Sequence, residues 1–285
     1  MEANEPERAH AVHVATYRVR GRVLLVLWLF AVVLGDLAAD VPGWLGHPLS
    51  APIAGPIADV LGSLILLAFL MYPVRRSGRT MRSMVGGLPP PSAIGWAAGV
   101  ALAITAISFV SVPVVFIPLS YVAPGFVQYW LIDSPGPRIW TEGDFYRLGN
   151  LFLFLRLCLL GPFAEEMTFR GLLLPAWASR VGRRWGLMWS SVCFGLGHGD
   201  LAGAFVFGVV TGVTFLRTNR LALPILIHVL ANAFFWVIAS ADIANVSHGP
   251  ATLEDLRHTW WLALVGLPGI PLMVVLMRRF PVPLS

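Results

Sequence analysis

The sequence predicts an all-α, polytopic integral membrane protein, a bundle of about eight transmembrane helices. Of its 285 residues, 57% are hydrophobic and only 12% are charged, against roughly 25% charged residues in soluble globular domains. Long apolar runs recur along the whole chain, and the arginines fall in short clusters between them. A water-soluble fold is therefore not expected.

Eight runs are candidates for membrane spans, since a helix needs about 20 mostly apolar residues to cross a hydrocarbon core of about 30 Å. The fourth run is interrupted by Pro162, and the fifth and sixth are short and meet in a tight turn at 197–200. The runs are 23–39, 57–72, 93–117, 146–174, 185–198, 201–216, 221–241 and 259–277. We expect them to form a single transmembrane domain over 1–285.

The arginines predict how this domain is oriented, because loops on the cytoplasmic side are enriched in basic residues. With the N-terminus inside, fifteen of the twenty arginines fall in cytoplasmic segments, and only Arg138, Arg147 and Arg257 fall outside. Both termini are thus predicted to be cytoplasmic. This placement accounts for the net charge of +5 without a nucleic-acid partner. The expected location is the plasma membrane, and the lysine-free composition favours a bacterial source.

Cysteine usage excludes a disulfide framework, because Cys158 and Cys193 both lie inside apolar runs. Motifs of other intramembrane hydrolases are also missing. The sequence contains no His-Glu-x-x-His pair and no Gly-x-Ser-x-Gly turn. Residues 197–200 read Gly-x-Gly-Asp, as in presenilin-like aspartyl proteases, but the partner Tyr-Asp on a preceding helix is missing.

Polar side chains interrupt three of the apolar runs. Ionisable groups within a membrane cost at least about 2.5–3.5 kcal/mol each near its centre, so they usually face a cavity and carry function. The fourth run contains Glu165, Glu166 and Arg170, the fifth contains Phe194 and His198, and the seventh contains His228 and Asn232. Spacings of four place Glu166 with Arg170, Phe194 with His198, and His228 with Asn232 on common helix faces.

Such a set favours hydrolysis, in which a carboxylate takes a proton from water, imidazoles position that water, and an amide stabilises an oxyanion. At about 1.5 Å per residue, the polar groups lie roughly 12–23 Å from the cytoplasmic edge. Glu166 suits an ion pair with Arg170, which leaves Glu165 as the base. Arg156 lacks a local partner, and Asp36 and Asp59 on neighbouring helices are candidates.

Glu165-Glu166-x-x-x-Arg170, Phe194-x-x-x-His198 and His228-x-x-x-Asn232, in that order on separate apolar helices, resemble the CAAX-processing and bacteriocin-processing (CPBP, or Abi) intramembrane proteases. That family includes the type II CAAX prenyl endopeptidase. The resemblance implies a catalytic core over 146–241. It also implies that Glu165 activates water, His198 helps to hold it, His228 and Asn232 stabilise the oxyanion, and Glu166 and Arg170 support the geometry.

The resemblance leaves the cofactor open. Glu165, His198 and His228 are candidate ligands of Zn²⁺, and a metal-independent glutamate mechanism is the alternative. The expected activity is cleavage of a peptide or membrane-protein substrate in the bilayer, with the active cavity open toward the cytoplasmic leaflet. The sequence predicts neither the substrate nor the oligomeric state.

Two other functions are also compatible with the sequence. A non-catalytic membrane scaffold or bacteriocin self-immunity protein of the same fold would use these polar residues to hold helices together. An ion-coupled transporter would use Glu165, Arg156 and His228 as a relay, although the sequence shows no inverted repeat of the kind that many transporters contain.

Overall fold

The computed structural model describes residues 20–133, 139–241 and 250–280, and in these ranges the chain is helical without strands. In chain order the helices are α1 (Gly21–Trp44), α2 (Ala51–Arg76), α3 (Met81–Val85), α4 (Pro91–Val122), α5 (Pro124–Val127), α6 (Tyr146–Val181), α7 (Arg183–Leu196), α8 (Leu201–Thr218), α9 (Ala222–Ser240), α10 (Leu253–His258), α11 (Trp260–Gly266) and α12 (Gly269–Arg278). A π-helix, Gln128–Asp133, continues from α5. The all-α class is confirmed.

Six helices are long and apolar enough to cross a membrane: α1, α2, α4, α6, α8 and α9. The segment Leu253–Gly266 and helix α12 form a seventh span if they are taken together, since they bend by 40° at their junction. The described residues therefore contain six or seven candidate spans, fewer than the eight predicted. The predicted cytoplasmic termini, residues 1–19 and 281–285, lie outside the described ranges.

The missing span is the fifth predicted one, 185–198. It corresponds to α7, whose 14 residues extend about 21 Å at 1.5 Å per residue, less than a hydrocarbon core of about 30 Å. Gly182, with φ +85°, breaks the chain before α7. After α7, Asp200 caps α8 by accepting a hydrogen bond of 2.9 Å from the Gly203 N–H. With a break at Gly182 and a new helix beginning at Leu201, α7 is too short to cross the hydrocarbon core of a membrane.

Helices α7 and α8 instead form an antiparallel hairpin with its tip at 197–200. Glycines permit their close approach: a Cβ on Gly195 would lie 2.8 Å from the Leu201 carbonyl oxygen, and one on Gly208 would lie 2.9 Å from the Ser191 Cβ. Small residues commonly allow helix backbones to approach in membranes. These glycines therefore allow α7 and α8 to pack closely along the hairpin.

Helix α4 is the centre of the bundle and packs against α8, α9, α11 and α12, while α1 packs along α2 on the other side of α6. Between them lies one apolar core, with fully buried side chains such as Leu70, Val100 and Leu172. Many large apolar side chains on α1 and α12 remain exposed, including Val26, Leu29 and Val274. Such faces are suited to contact with lipid.

Helix α6 is continuous but irregular. Two π-helical segments, Arg156–Leu160 and Met167–Leu173, flank the α-helical turn Gly161–Glu166. Each π segment ends two residues before a proline, Pro162 or Pro175. Because proline lacks an N–H and collides with the carbonyl of the preceding turn, a wider turn lets the helix pass it. π segments of this kind often occur at functional sites, and here they enclose both carboxylates.

Candidate active site

Glu165 lies where three helices meet. Its Oε1 accepts a hydrogen bond of 3.3 Å from the Arg156 Nη2. Its Oε2 faces two imidazoles, 3.7 Å from the His198 Nε2 and 3.8 Å from the His228 Nε2. These last two distances exceed a direct hydrogen bond, which measures about 2.7–3.2 Å, and are of the size at which a bridging water has to be considered.

Glu166 lies in a deeper layer. It is fully buried, and its Oε1 is 3.0 Å from both the Arg170 Nη1 and the His228 Nδ1. The Glu166–Arg170 pair predicted from the four-residue spacing is therefore confirmed. Both partners are almost completely removed from solvent, with side-chain exposures of 0% and 1%.

Aromatic rings enclose the other end of this pair. The Arg170 guanidinium carbon lies 4.1 Å from the centre of the Phe194 ring, 5.5 Å from that of Phe207 and 6.0 Å from that of Phe169. A cation within about 6 Å of an aromatic face is attracted by the ring quadrupole. Phe207 was missed at the sequence level, because an isolated phenylalanine in an apolar helix carries no signal of its own.

The two histidines are held through their Nδ1 atoms. The His198 Nδ1 donates to the Phe194 carbonyl oxygen over 2.7 Å, and the His198 ring stacks on the Phe194 ring at 4.4 Å. The His228 Nδ1 faces the Glu166 carboxylate. The tautomer with its proton on Nδ1 leaves Nε2 of each ring as an acceptor on the side of Glu165. Phe194 and His198, which are four residues apart in the sequence, are thus in direct contact.

Asn232 lies at the same site but binds the main chain. Its Nδ2 donates a hydrogen bond of 2.7 Å to the carbonyl oxygen of Leu157, in the first π segment of α6. An amide has two N–H donors, so this bond orients the side chain and leaves a second N–H to serve a ligand.

Arg156 has a partner that was not predicted. Asp36 and Asp59 were candidate partners, and its salt bridge in the structure is with Glu165, nine residues along the same helix. Glu165 is therefore not the unpaired carboxylate that the sequence suggested. In a regular α-helix, nine residues at about 100° each place two side chains about 180° apart. The wider π turn at Arg156–Leu160 changes that angular relation.

These groups line a cavity of about 750 Å³, within the range of about 300–1,000 Å³ typical of ligand pockets. Glu165, His198, His228 and Asn232 contribute to its wall, and so do Arg156 and Asp59, whereas Glu166 and Arg170 lie behind it. The six predicted site residues are thus brought together in two layers. Four of them face the cavity and two support it.

The cavity extends toward the end of the bundle that carries few arginines. Its lining includes Ala51 and Gly55 at the start of α2, Trp140, and the hairpin tip at 197–200. With the predicted orientation this end faces away from the cytoplasm. The expectation of an opening toward the cytoplasmic leaflet therefore disagrees with the position of the cavity.

Glu165, His198 and His228 are spaced more widely than the ligands of a zinc ion. Ligands bound to a tetrahedral zinc at about 2.0–2.2 Å lie about 3.3–3.6 Å apart, whereas the Nε2 atoms of His198 and His228 lie slightly farther, 3.7 and 3.8 Å, from Oε2 of Glu165. The described residues contain no group of three or more His, Cys, Asp or Glu side chains arranged to hold a metal. Arg156 also brings a competing cation to Glu165. As arranged here, the side chains do not form a metal site.

Comparison with known proteins places the family resemblance on the same residues. Residues 147–234 match the family model described as type II CAAX prenyl endopeptidase Rce1-like. This segment is similar to the Rce1-like family. It covers under a third of the chain, and it contains all six predicted site residues and Arg156.

One curated relative supports this assignment. The chain is 28% identical over 101 residues to the protein named "Putative membrane peptidase YdiL" of Bacillus subtilis (strain 168). The alignment covers 34% of this chain and 41% of that relative, so the chain spans less than half of the relative's length. No solved structure matches the chain. Together with the apolar helices, the comparisons identify an integral, multi-pass membrane protein.

Proposed function

We propose that this protein is a CAAX-type intramembrane endopeptidase, which hydrolyses a peptide bond in the 750 Å³ cavity with a water molecule activated by Glu165. One observation carries the proposal: Oε2 of Glu165 faces Nε2 of both His198 and His228 at 3.7 and 3.8 Å, at the wall of that cavity. The Rce1-like match of residues 147–234 supports the same class of activity.

In the first step Glu165 acts as the general base. Arg156 occupies Oε1, so Oε2 accepts a proton from a water held between it and an imidazole Nε2. The oxygen of that water attacks the carbonyl carbon of the scissile bond and forms a tetrahedral intermediate. A positioned general base contributes about 10²–10⁴-fold to such a step.

The negative charge of the intermediate falls on the former carbonyl oxygen. In this proposal Asn232 donates its second N–H to that oxygen, because its first N–H is fixed on the Leu157 carbonyl. Glu165 then returns its proton to the amide nitrogen, the C–N bond breaks, and the products are a carboxylic acid and an amine. Glu166 and Arg170 hold His228 in place but do not touch the substrate.

The zinc alternative remains a proposal that derives from the family resemblance. It predicts that purified protein contains about one equivalent of zinc, that the chelator 1,10-phenanthroline abolishes cleavage, and that added zinc restores it. A water-based mechanism predicts full cleavage by metal-free protein. Metal analysis of the active fraction, with the Glu165→Gln variant for comparison, separates the two.

The proposal is tested by comparing the membrane peptidomes of cells that express the wild type or the Glu165→Gln variant. Peptide fragments present with the wild type should disappear with Glu165→Gln, while the folded protein accumulates to the same level. Glu142→Gln, the same change at an exposed site outside the cavity, is the matched control and should behave as wild type. Identical peptidomes for all three proteins would contradict the proposal and favour a non-catalytic scaffold.

A further inference from the structure

The two ends of the helix bundle differ in how they are closed. Thirteen described arginines lie at one end: Arg20, Arg22, Arg75, Arg76, Arg79, Arg82, Arg180, Arg183, Arg184, Arg217, Arg220, Arg278 and Arg279. At the other end the described arginines are Arg147 and Arg257, and Arg156 and Arg170 lie in between. We call the end with the thirteen described arginines the arginine end.

Hydrogen bonds join the helix termini at the arginine end. Arg183 donates to the Leu216 carbonyl oxygen and ties α7 to α8, while Arg217 donates to that of Met277 and ties α8 to α12. The Leu221 N–H donates to the Met84 carbonyl oxygen over 2.9 Å, which joins α3 to the start of α9. These bonds hold several helix ends together.

Packed apolar side chains fill the space beneath these bonds. Met84, Leu173, Leu174 and Leu221 are each fully buried, and Phe215 is 2% exposed. This layer lies between the arginine end and Glu165, and the lining of the Glu165 cavity includes no residue of the arginine end. The buried Glu166–Arg170 pair lies between this layer and the cavity and adds to the closure.

The rim of the cavity lies at the opposite end of the bundle. Ala51 and Gly55, at the first turn of α2, are exposed and line it, as do Gly199 at the hairpin tip and Trp140. The main chain of Trp140 is held in place by Asn150, which accepts from its N–H over 3.0 Å and donates to its carbonyl oxygen over 2.8 Å. The rim of the cavity is thus built at the arginine-poor end.

We propose that the cavity receives its peptide from the arginine-poor, extracytoplasmic side of the membrane. The substrates are then segments exposed on that side, such as the extracytoplasmic tail or a loop of a membrane protein. This inference rests on the proposed peptidase function for its substrate class. It rests on the positive-inside rule for its side: an arginine end in the cytoplasm places the rim of the cavity outside.

The direction of access is tested by thiol labelling at three glycines where an added Cβ meets nothing within 4 Å: Gly55 and Gly199 at the rim, and Gly87 at the arginine end. Each is replaced by cysteine in the full-length protein, in bacterial spheroplasts. The parent protein, with Cys158 and Cys193 in place, provides the background. A charged, membrane-impermeant maleimide is added before or after permeabilisation.

We expect Gly55→Cys and Gly199→Cys to be labelled in intact spheroplasts, and Gly87→Cys to be labelled only after permeabilisation. Labelling of either rim cysteine only after permeabilisation would overturn the inference, as would labelling of Gly87→Cys from outside. The readout does not depend on catalysis. The labelling result therefore stands by itself even if Glu165→Gln leaves the peptidome unchanged.

The substrate class is tested by the position of the cleaved segments. Fragments that Glu165→Gln removes from the peptidome should derive from extracytoplasmic segments of membrane proteins. Fragments that derive from cytoplasmic tails would contradict the inference while leaving the peptidase function intact. Bulky maleimide attached to Gly55→Cys from outside should also lower the yield of fragments at least tenfold, with maleimide-treated Gly87→Cys as the unaffected control.

Discussion

Glu165 and Glu166 are adjacent in sequence and lie in contrasting environments. Glu165 faces a cavity of about 750 Å³ with one oxygen on Arg156 and the other toward two imidazoles. Glu166 is fully buried against Arg170, whose guanidinium is enclosed by aromatic rings. Consecutive helical residues point about 100° apart, so a single turn can supply both a chemical group and its support.

His228 connects the two layers. Its Nδ1 lies 3.0 Å from Glu166 and its Nε2 lies 3.8 Å from Glu165. Glu166 therefore fixes the orientation of the imidazole that faces Glu165. Changes in the two layers should therefore have separable effects. Changes in the cavity layer should lower the rate of cleavage, and changes in the buried layer should lower stability first.

The largest effect on stability is expected from Arg170→Met. Removal of one partner of a buried ion pair leaves an uncompensated charge and costs about 3–5 kcal/mol. The double variant Glu166→Gln, Arg170→Met should recover part of this loss, because neither charge is then left alone. Thermal unfolding in detergent measures both. A double variant whose loss equals the sum of the two single losses would show that the pair is not coupled.

A somewhat smaller effect, on the rate alone, is expected from Asn232→Ala. Loss of one oxyanion donor typically costs about 10²–10³-fold in kcat. The substrate is a peptide from the peptidome comparison, and cleavage is followed with purified protein. A change in KM with kcat intact would assign Asn232 to substrate binding instead of the oxyanion.

Arg156→Gln is expected to lower cleavage by roughly 10–100-fold, since a hydrogen bond to a charged group contributes about 1.5–3 kcal/mol and each 1.36 kcal/mol is a factor of ten in rate. The physical reason is that Glu165 loses the partner that turns Oε2 toward the imidazoles. Arg156→Lys should recover part of the rate by restoring the cation. Arg147→Gln, a change at an exposed arginine on the same helix, is the control and should leave the rate unchanged.

The smallest effect is expected from Ser111→Ala. The Ser111 hydroxyl lies 2.7–2.8 Å from the Asp200 carboxylate oxygens, which places the hairpin tip against α4. A neutral donor of this kind contributes about 0.5–1.5 kcal/mol, or somewhat more to a charged acceptor. A small fall in the melting temperature with cleavage within about threefold of wild type is the expected outcome, and a loss of cleavage as large as that of Asn232→Ala would place Ser111 in the site.

Local spacing predicted the parts of the site that lie within one regular turn. The Glu166–Arg170 pair and the Phe194–His198 contact both follow from side chains four residues apart. The Arg156–Glu165 and Asn232–Leu157 contacts could not be predicted, because both depend on the π turn at Arg156–Leu160, for which hydropathy has no signature.

The number of candidate spans differs from the predicted number for a related reason. Hydropathy measures how apolar a segment is and does not show where its helix begins and ends. The apolar run at 185–198 is itself only 14 residues long, and the helix there, bounded by Gly182 and the turn at 197–200, has the same length. The last run, 259–277, is bent by 40° between α11 and α12, where Pro268 lies.

The central claim is that Glu165 performs the chemistry and Glu166 supports it. It is tested most directly by measuring cleavage per folded molecule and thermal unfolding for Glu165→Gln and Glu166→Gln, purified side by side with wild type. We expect Glu165→Gln to lower cleavage by at least about 100-fold at an almost unchanged melting temperature, and Glu166→Gln to lower the melting temperature markedly. Cleavage by folded Glu165→Gln at the wild-type rate would contradict it.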